Sequence, residues 1–205
     1  MSAFAFRTFL TLFVVMDPVG LGPLFLGLAG DRTGAQRLEV ARKAVLVASG
    51  IMLVFTVGGS ALLRYLNISL DAFRIAGGVL LFRIAVDMVF AQHERETEEE
   101  EREARTRRDI SVFPLAIPLI AGPGALASVM ILAGEARAYT GGLALILGIC
   151  GVVLILVYLG LALSAQTARL LGQTGVNVVT RVFGVLLSAL AVQYVADGIR
   201  GLLRS

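Results

Sequence analysis

The sequence predicts an all-α integral membrane protein with six transmembrane helices arranged as two inverted three-helix repeats. Three observations lead to this prediction. Hydrophobic residues make up 57% of the 205 positions and the mean hydropathy is +0.85, which is too apolar for a typical soluble domain. Six apolar stretches are long enough to cross about 30 Å of hydrocarbon, which takes about 20 helical residues. A proline–glycine break also occurs twice, in the first and fourth of these stretches.

The second and fifth stretches are the clearest spans, because neither contains a charged residue over 44–63 or 143–163. None of the stretches shows the alternating pattern of a membrane β-strand. The chain therefore divides into a first three-helix repeat (1–91), a charged linker (92–111) and a second three-helix repeat (112–205). The predicted spans are residues 4–29, 44–63, 70–90, 112–133, 143–164 and 178–203.

Two motifs recur between the halves. The segment Asp17-Pro-Val-Gly-Leu-Gly-Pro23 matches Ile117-Pro-Leu-Ile-Ala-Gly-Pro123 at an offset of 100 residues, with both prolines and the second glycine shared. The pattern Arg-x-x-Gly-x-x-Leu begins at Arg74 and again at Arg181, at an offset of 107. Since each half has three spans, an odd number, the two halves must have opposite orientations, as in many secondary transporters.

The linker 92–111 is the one strongly polar stretch, and its charges alternate at helical spacings, which predicts a solvated helix. Apart from Arg74, Arg83 and Arg181, which lie in or at the edges of spans, lysine and arginine residues number ten on the side of the linker and five on the other side. The positive-inside rule therefore places the linker in the cytoplasm and both termini outside. The net charge of +3 is modest, so we expect no nucleic-acid partner. The single cysteine, Cys150, excludes an intrachain disulfide.

The first break places a carboxylate, Asp17, near the middle of its span. Such a group is costly in the bilayer unless it is paired, hydrated or protonated. We expect one half-helix to end near Met16, Asp17 to cap the following turn, and Pro23 to start or kink the next half-helix. The proline rule predicts that the carbonyls of Val14 and Val19 lose their helical partners.

A half-helix N-terminus favours an anion and a C-terminal end favours a cation, so a small zwitterion suits such a site. A kink that only aids packing is the alternative explanation of the breaks. The predicted binding residues are Asp17, Pro18, Gly20, Gly22, Pro23, Pro118, Gly122, Pro123 and Gly124.

Three further polar residues are candidates for gating or coupling. Arg83 and Asp87 are four residues apart in the third span and can pair on one helix face. The alternative is a structural ion pair in which Arg83 extends towards the membrane surface. Gln193 in the sixth span is predicted to face the bundle interior.

The chain resembles the MarC family of bacterial inner-membrane proteins. The resemblance covers essentially the whole chain, and its most specific part is the combination of the Asp-Pro and Ile-Pro-Leu-x-Ala-Gly-Pro-Gly motifs. The segments that carry it are MDPVGLGPLFL at 16–26, FRIAGGVLLFRIAVDM at 73–88, PLAIPLIAGPGALA at 114–127 and RVFGVLLSALAVQYVADGI at 181–199. The resemblance implies six transmembrane helices in the bacterial inner membrane. It also implies grouping with transporters of small neutral amino acids such as alanine, glycine and serine.

The leading functional hypothesis is a secondary transporter for a small neutral amino acid that works by alternating access. It requires no cofactor or metal, although Na⁺ or H⁺ is a candidate coupling ion, and its partners are the small-molecule substrate and the lipid bilayer. Two alternative hypotheses stay open: a channel, passive facilitator or exporter of small solutes, and an intramembrane aspartyl enzyme using Asp17 and Asp87. The sequence leaves open the substrate, the direction, a homo-oligomeric state, and whether the first and fourth segments cross or turn back.

Overall fold

A computed structural model describes residues 1–90 and 109–204, and these two ranges contain helices and no strand. The predicted all-α class is therefore confirmed, whereas the predicted linker helix falls almost entirely outside the described residues. The helices are α1 (Ser2–Met16), α2 (Leu21–Ala29), α3 (Gly34–Tyr65), α4 (Leu70–Phe90), α5 (Ser111–Ile120), α6 (Pro123–Ala136), α7 (Gly142–Ala162) and α8 (Ser164–Leu202).

Four segments in the described part of the chain are long and apolar enough to cross a membrane: Ser2–Ala29, Gly34–Tyr65, Gly142–Ala162 and Thr174–Leu202. Helices α5 and α6 make a fifth if they are counted as one span, because they are bent by 55° at their junction. The third predicted span, residues 70–90, coincides with α4. That helix has 21 residues, but four of them are charged, and these charges set it apart from the four segments above.

The short connections define two ends of the bundle. At the end that we call the Ser2 end, α1, α4 and α7 begin and α3, α6 and α8 finish. Ring contact between Phe4 and Tyr139, with centroids 5.1 Å apart, joins α1 to the α6–α7 connection there. At the opposite end, the Ala29 end, Lys43 of α3 pairs with Asp109, just before α5.

Helix α3 begins ten residues before the span predicted at residue 44. Thr33 and Gln36 form a capping box: the Thr33 side chain accepts from the Gln36 amide, and the Gln36 side chain accepts from the Thr33 amide. This cap starts the helix in a polar segment, because capping satisfies the first free amides whatever the hydropathy of the turns that follow. Hydropathy alone therefore located the apolar part of α3 but not its start.

Helices of the first half pack against helices of the second half. Helix α1 packs against α7 and α5 packs against α3, while α2 packs against α8 and α6 packs against α4. Helices α3 and α7 pack against each other, as do α4 and α8. All six of these helix pairs join one half to the other, and the main hydrophobic core is built from both halves.

Where α4 and α8 cross, corresponding residues of the two helices are separated by a constant number of sequence positions. A Cβ atom added at Gly78 would lie 2.7 Å from the carbonyl oxygen of Ala191, and one added at Gly184 would lie 3.0 Å from that of Ala85. Each α4 residue in these contacts therefore corresponds to the α8 residue 106 positions later in the sequence. The Arg-x-x-Gly-x-x-Leu pattern, in contrast, repeats after 107 positions. The buried pairs at this offset are Gly78 and Gly184, Leu81 and Leu187, Ala85 and Ala191, and Met88 and Tyr194.

Large apolar side chains cover the outside of the long helices. In α3 these include Leu46 and Val54, each 65% exposed, and in α7 Ile155 at 60%. Exposed apolar surface on this scale is unfavourable in water and suits contact with lipid. Together with the length of the helices, it indicates a multi-pass integral membrane protein.

Candidate functional site

Asp17 occupies the break between α1 and α2. Helix α1 ends at Met16, as predicted, and Asp17 follows in the left-handed conformation (φ 38°, ψ 67°), with its amide donating to the Phe13 carbonyl. An aspartate tolerates this conformation better than most residues do. The turn leaves the chain in position to start α2 four residues later, so the half-buried carboxylate lies at the break itself.

The Gly20 amide and the Thr180 hydroxyl are among the groups that hold the Asp17 carboxylate. The Gly20 amide donates to Oδ1 at 3.0 Å, and the Thr180 hydroxyl of α8 donates to Oδ2 at 3.3 Å. One donor comes from the same turn and the other from the opposite half of the chain. Hydrogen bonds of this kind fix the direction of a carboxylate.

Glycine is required at position 20 because there is no room for a side chain, and not because of the backbone conformation. Its φ of −67° is open to any residue, but a Cβ atom there would lie 2.1 Å from Asp17 Oδ2 and 2.9 Å from Thr180 Oγ1. The missing side chain therefore makes room for the contact between the two halves.

The second break separates α5 from α6. Helix α5 has wide turns in which the Leu115 amide donates to Ile110 and the Ala121 amide to Ala116, five residues back. Phe113 and Ile117 interrupt it with extended backbone, and each precedes a proline through a cis peptide bond. Residues before proline are disfavoured in the helical region, which accounts for these two positions.

Gly122 lets the chain turn from α5 into α6. A Cβ atom at Gly122 would lie 2.3 Å from the Pro118 carbonyl oxygen, a backbone atom that cannot rotate away. Gly122 then acts as the N-cap of α6, Pro123 takes the first helical position, and no side chain caps this helix. Proline suits that position because its missing amide would have no partner within the helix.

The two breaks lie next to each other. A Cβ atom at Gly124 would be 3.6 Å from Cγ1 of Val15, two residues before Asp17. Helix α7 closes the other side of the first break, because a Cβ atom at Gly160 would lie 2.4 Å from the Pro18 carbonyl oxygen. The N-terminus of α6 and the Asp17 turn are thus neighbours in the same part of the bundle.

The remaining predicted binding residues differ in burial. Pro18, Gly22 and Gly124 are buried, Pro118 and Pro23 are half-buried, and Pro123 is exposed. Pro23 lies in the first turn of α2, which begins at Leu21, so it starts the second half-helix and does not kink it.

The prediction that the Val19 carbonyl lacks a partner is wrong. This carbonyl accepts from the Gly22 amide at 3.3 Å, because residues 17–22 form tight turns. The proline rule assumes a helix that continues through the break, and here the chain leaves the helix before Pro23.

The three predicted gating or coupling residues are partly or largely exposed at the surface of the structure. Arg83 Nε is 3.8 Å from Asp87 Oδ2, with the Arg83 side chain 72% exposed and that of Asp87 22% exposed. The prediction that Gln193 faces the bundle interior is wrong: Gln193 is exposed and donates to Asp197 at 2.9 Å, one turn along the same helix. The predicted roles of these three residues in gating or coupling stay predictions.

Sequence reasoning did not select Thr180, which contacts Asp17 from α8. The available signal was its position directly before Arg181, where the repeated Arg-x-x-Gly pattern begins. It also missed Arg7 and Glu135, which form an ion pair between α1 and α6 near the Ser2 end. A charged residue within each of two apolar helices was the signal in that case.

Comparison with known proteins finds a family and relatives that are described as membrane proteins. A family model described as "MarC family integral membrane protein" matches residues 2–203. The chain is 37% identical to a UPF0056 membrane protein of Aquifex aeolicus (97% of this chain and 93% of the relative) and 36% identical to the UPF0056 membrane protein YvbG of Bacillus subtilis (98% and 97%). It is 34% identical to the UPF0056 membrane protein YhcE of Escherichia coli, over 96% of this chain and 92% of that relative. No solved structure matches the chain.

Proposed function

Because the chain belongs to the MarC family of integral membrane proteins, we propose that it is a secondary transporter of a small neutral amino acid, with its substrate site at the two adjoining helix breaks. The observation that carries this proposal is the position of Asp17. Its carboxylate is directed by the Gly20 amide and the Thr180 hydroxyl, close to the uncapped N-terminus of α6. The arrangement offers a negative side chain and a helix N-terminus within one short region.

A zwitterion matches this arrangement. The Asp17 carboxylate would hold the substrate ammonium group or a coupling cation, Na⁺ or H⁺. The amides of the first turn of α6 would hold the substrate carboxylate, because the first amides of a helix have no partners within it and carry partial positive charge. Gly124 in that turn is buried against Leu81 and Ile84 of α4, which fixes the position of this turn.

The exchanged helix contacts support a mechanism of alternating access between two inverted repeats, each with three spans. In this proposal α4 also crosses the membrane as one of six spans, although it contains four charged residues. The equal offsets of the Gly78 and Gly184 contacts are those expected of two halves related by a two-fold axis. Rocking one half against the other would expose the Asp17 region to each face in turn.

We also place the protein in the bacterial inner membrane, with both termini outside. The positive-inside bias of the loops supports this orientation.

Flux into proteoliposomes tests the proposal. Radiolabelled alanine, glycine and serine are offered with imposed sodium and proton gradients, and saturable counterflow would separate a transporter from a channel or passive facilitator. We expect Asp17→Asn to abolish or uncouple the flux while the protein still inserts.

Thr180→Val keeps the shape of the side chain but removes the donor, so we expect it to weaken transport. Thr174→Val is the matched control, because Thr174 is an exposed residue of the same helix. Wild-type flux in the Asp17→Asn protein would contradict the assignment of the site.

A further inference from the structure

Four charged side chains from three helices meet near the Ser2 end, far from the Asp17 break. Arg7 of α1 forms an ion pair with Glu135 of α6, and Arg74 of α4 contacts the same carboxylate at 3.1 Å. Arg74 also contacts Asp71 at 2.7 Å. We call Arg7, Asp71, Arg74 and Glu135 the ionic cluster. It adds ionic contacts to the apolar packing of α1, α4 and α6.

The ionic cluster is partly enclosed. The side chains of Glu135, Arg74 and Asp71 are 18%, 20% and 28% exposed, and only Arg7 is more than half exposed, at 52%. A Cβ atom added at Gly201 of α8 would lie 2.3 Å from Asp71 Cγ, so α8 closes the far side. Charges withdrawn from water in this way are costly to separate without replacement partners.

A line of buried hydroxyl groups leads from the ionic cluster towards the Asp17 break. Thr8 and Thr11 share a face of α1, Ser128 lies in α6, and Tyr194 of α8 lies near Thr11. The Thr8 and Ser128 hydroxyls have no hydrogen-bond partner among the described residues. Along α1, Arg7 lies about 15 Å from Asp17, at 1.5 Å per residue.

The charge of the ionic cluster selects among ligands. Two guanidinium groups and two carboxylates sum to zero, so an added cation meets two arginines and an added anion meets two carboxylates. A zwitterion can replace the existing pairs: its carboxylate takes the guanidinium donors and its ammonium group takes Glu135. The number of ion pairs is conserved, so little charge is left unpaired during the exchange.

We propose that the ionic cluster is a second binding site for zwitterionic amino acids, at which the ligand replaces the Arg7–Glu135 pair and separates α1 from α6 at the Ser2 end. This inference rests on the proposed transport function. It adds to that function the site at which the helix bundle opens at the Ser2 end. The ligand requirement is specific: both charges on one small molecule, with neither a carboxylate nor an amine alone sufficient.

Distance measurement between spin labels tests the proposal without relying on flux. In a Cys150→Ala background, labels are attached at Phe6→Cys, which is 66% exposed on α1, and at Arg137→Cys, at the end of α6. We expect alanine to lengthen the distance between the labels, and propionate and ethylamine to leave it unchanged. A distance that does not respond to alanine would overturn the proposal.

Charge variants sharpen the test because they change selectivity in opposite directions. Glu135→Gln leaves the ionic cluster with an excess positive charge, so propionate should now lengthen the distance and the apparent affinity for alanine should fall about tenfold or more, which corresponds to ~1.4 kcal/mol. Arg7→Gln leaves an excess negative charge, so ethylamine should become effective. A merely structural ion pair would not produce this reversal.

Two controls accompany these variants. Glu135→Asp keeps the charge and should keep the preference for alanine. Asp197→Asn removes a carboxylate near the same end that pairs within α8, with Arg200 at 3.4 Å, and should leave the distance response unchanged. If both charge variants respond to the three ligands as the unmodified background does, the proposal is wrong.

Flux and distance together separate the two hypotheses. Transport of alanine without any change in distance would contradict the second site and leave the proposed function intact. A distance change without flux would contradict the proposed function.

Discussion

At the scale of single residues, Asp17 is the position that the sequence predicts best. A carboxylate next to a proline in the middle of an apolar stretch has few structural explanations, and the structure places it at the end of α1. Thr180 could not be predicted in the same way, because a threonine is common in membrane helices and its contact spans 163 positions of sequence. Local patterns identify the charge at a break but not the residue that another helix brings to it.

Replacing Gly20 with alanine should impair function more than stability. The added Cβ atom overlaps the Asp17 carboxylate, a side-chain end that can rotate away, so the helices need not separate. We expect Gly20→Ala to lose most amino acid flux while its melting temperature, followed by circular dichroism, falls little. Gly50→Ala in α3 is the control, since a Cβ atom there meets nothing within 4 Å. Full flux in the Gly20→Ala protein would contradict the role given to the Asp17–Thr180 contact.

The pairing of Asp109 with Lys43 should make part of the stability depend on pH. Hydrogen bonds from Lys43 and then Ser111 lower the pKa of Asp109 from 3.8 to about 2. A lowered pKa means that the stabilisation is fully present above pH ~4 and is lost as the pH falls through 2. The melting temperature of Asp109→Asn should therefore lie below that of the wild type at pH 6, by a small amount because the pair is exposed. The difference should shrink between pH 4 and pH 2, and a difference that grew on acidification would contradict this pairing.

At the scale of helices, hydropathy predicted where the apolar segments lie, and α4 has the predicted bounds 70–90. It could not predict the start of α3, which depends on the Thr33 cap, or the extended residues within α5. The pattern at Arg74 and Arg181 gave an offset of 107, whereas the helix contacts follow 106. Identical residues in the sequence identify similar segments of the two halves. The packing of the helices is needed to show which residues occupy equivalent positions.

The crossing of α4 and α8 should be sensitive to the smallest added side chain. A Cβ atom at Gly78 or Gly184 approaches the backbone of the other helix, so the helices themselves must move apart. We expect Gly78→Ala and Gly184→Ala each to destabilise the protein by about 1–3 kcal/mol, as overpacking does. Gly58→Ala in α3, where nothing lies within 4 Å, should be nearly neutral. Melting temperatures in detergent measure the difference, and equal values for all three variants would contradict the crossing geometry.

At the scale of the whole molecule, the number of spans decides where the termini lie. Six spans place both termini on one side, whereas five place them on opposite sides. Cysteines introduced in a Cys150→Ala background at Ser2, Asn67 and Leu203 should all react with an impermeant reagent from outside the cell. A cysteine at Thr33, in the connection before α3, should react only after the membrane is opened. Reaction at Ser2 and Leu203 from opposite sides would show that one predicted span does not cross.

The exchanged contacts between the halves have a consequence for how the chain can be divided. Because α1 packs on α7, α5 on α3, and α4 on α8, each half covers surfaces that the other would leave bare. The halves are therefore counterparts in one assembly rather than domains that fold separately. Separate genes for residues 1–91 and 112–205 should yield a stable complex when they are expressed together, and each fragment alone should be removed by cellular proteolysis.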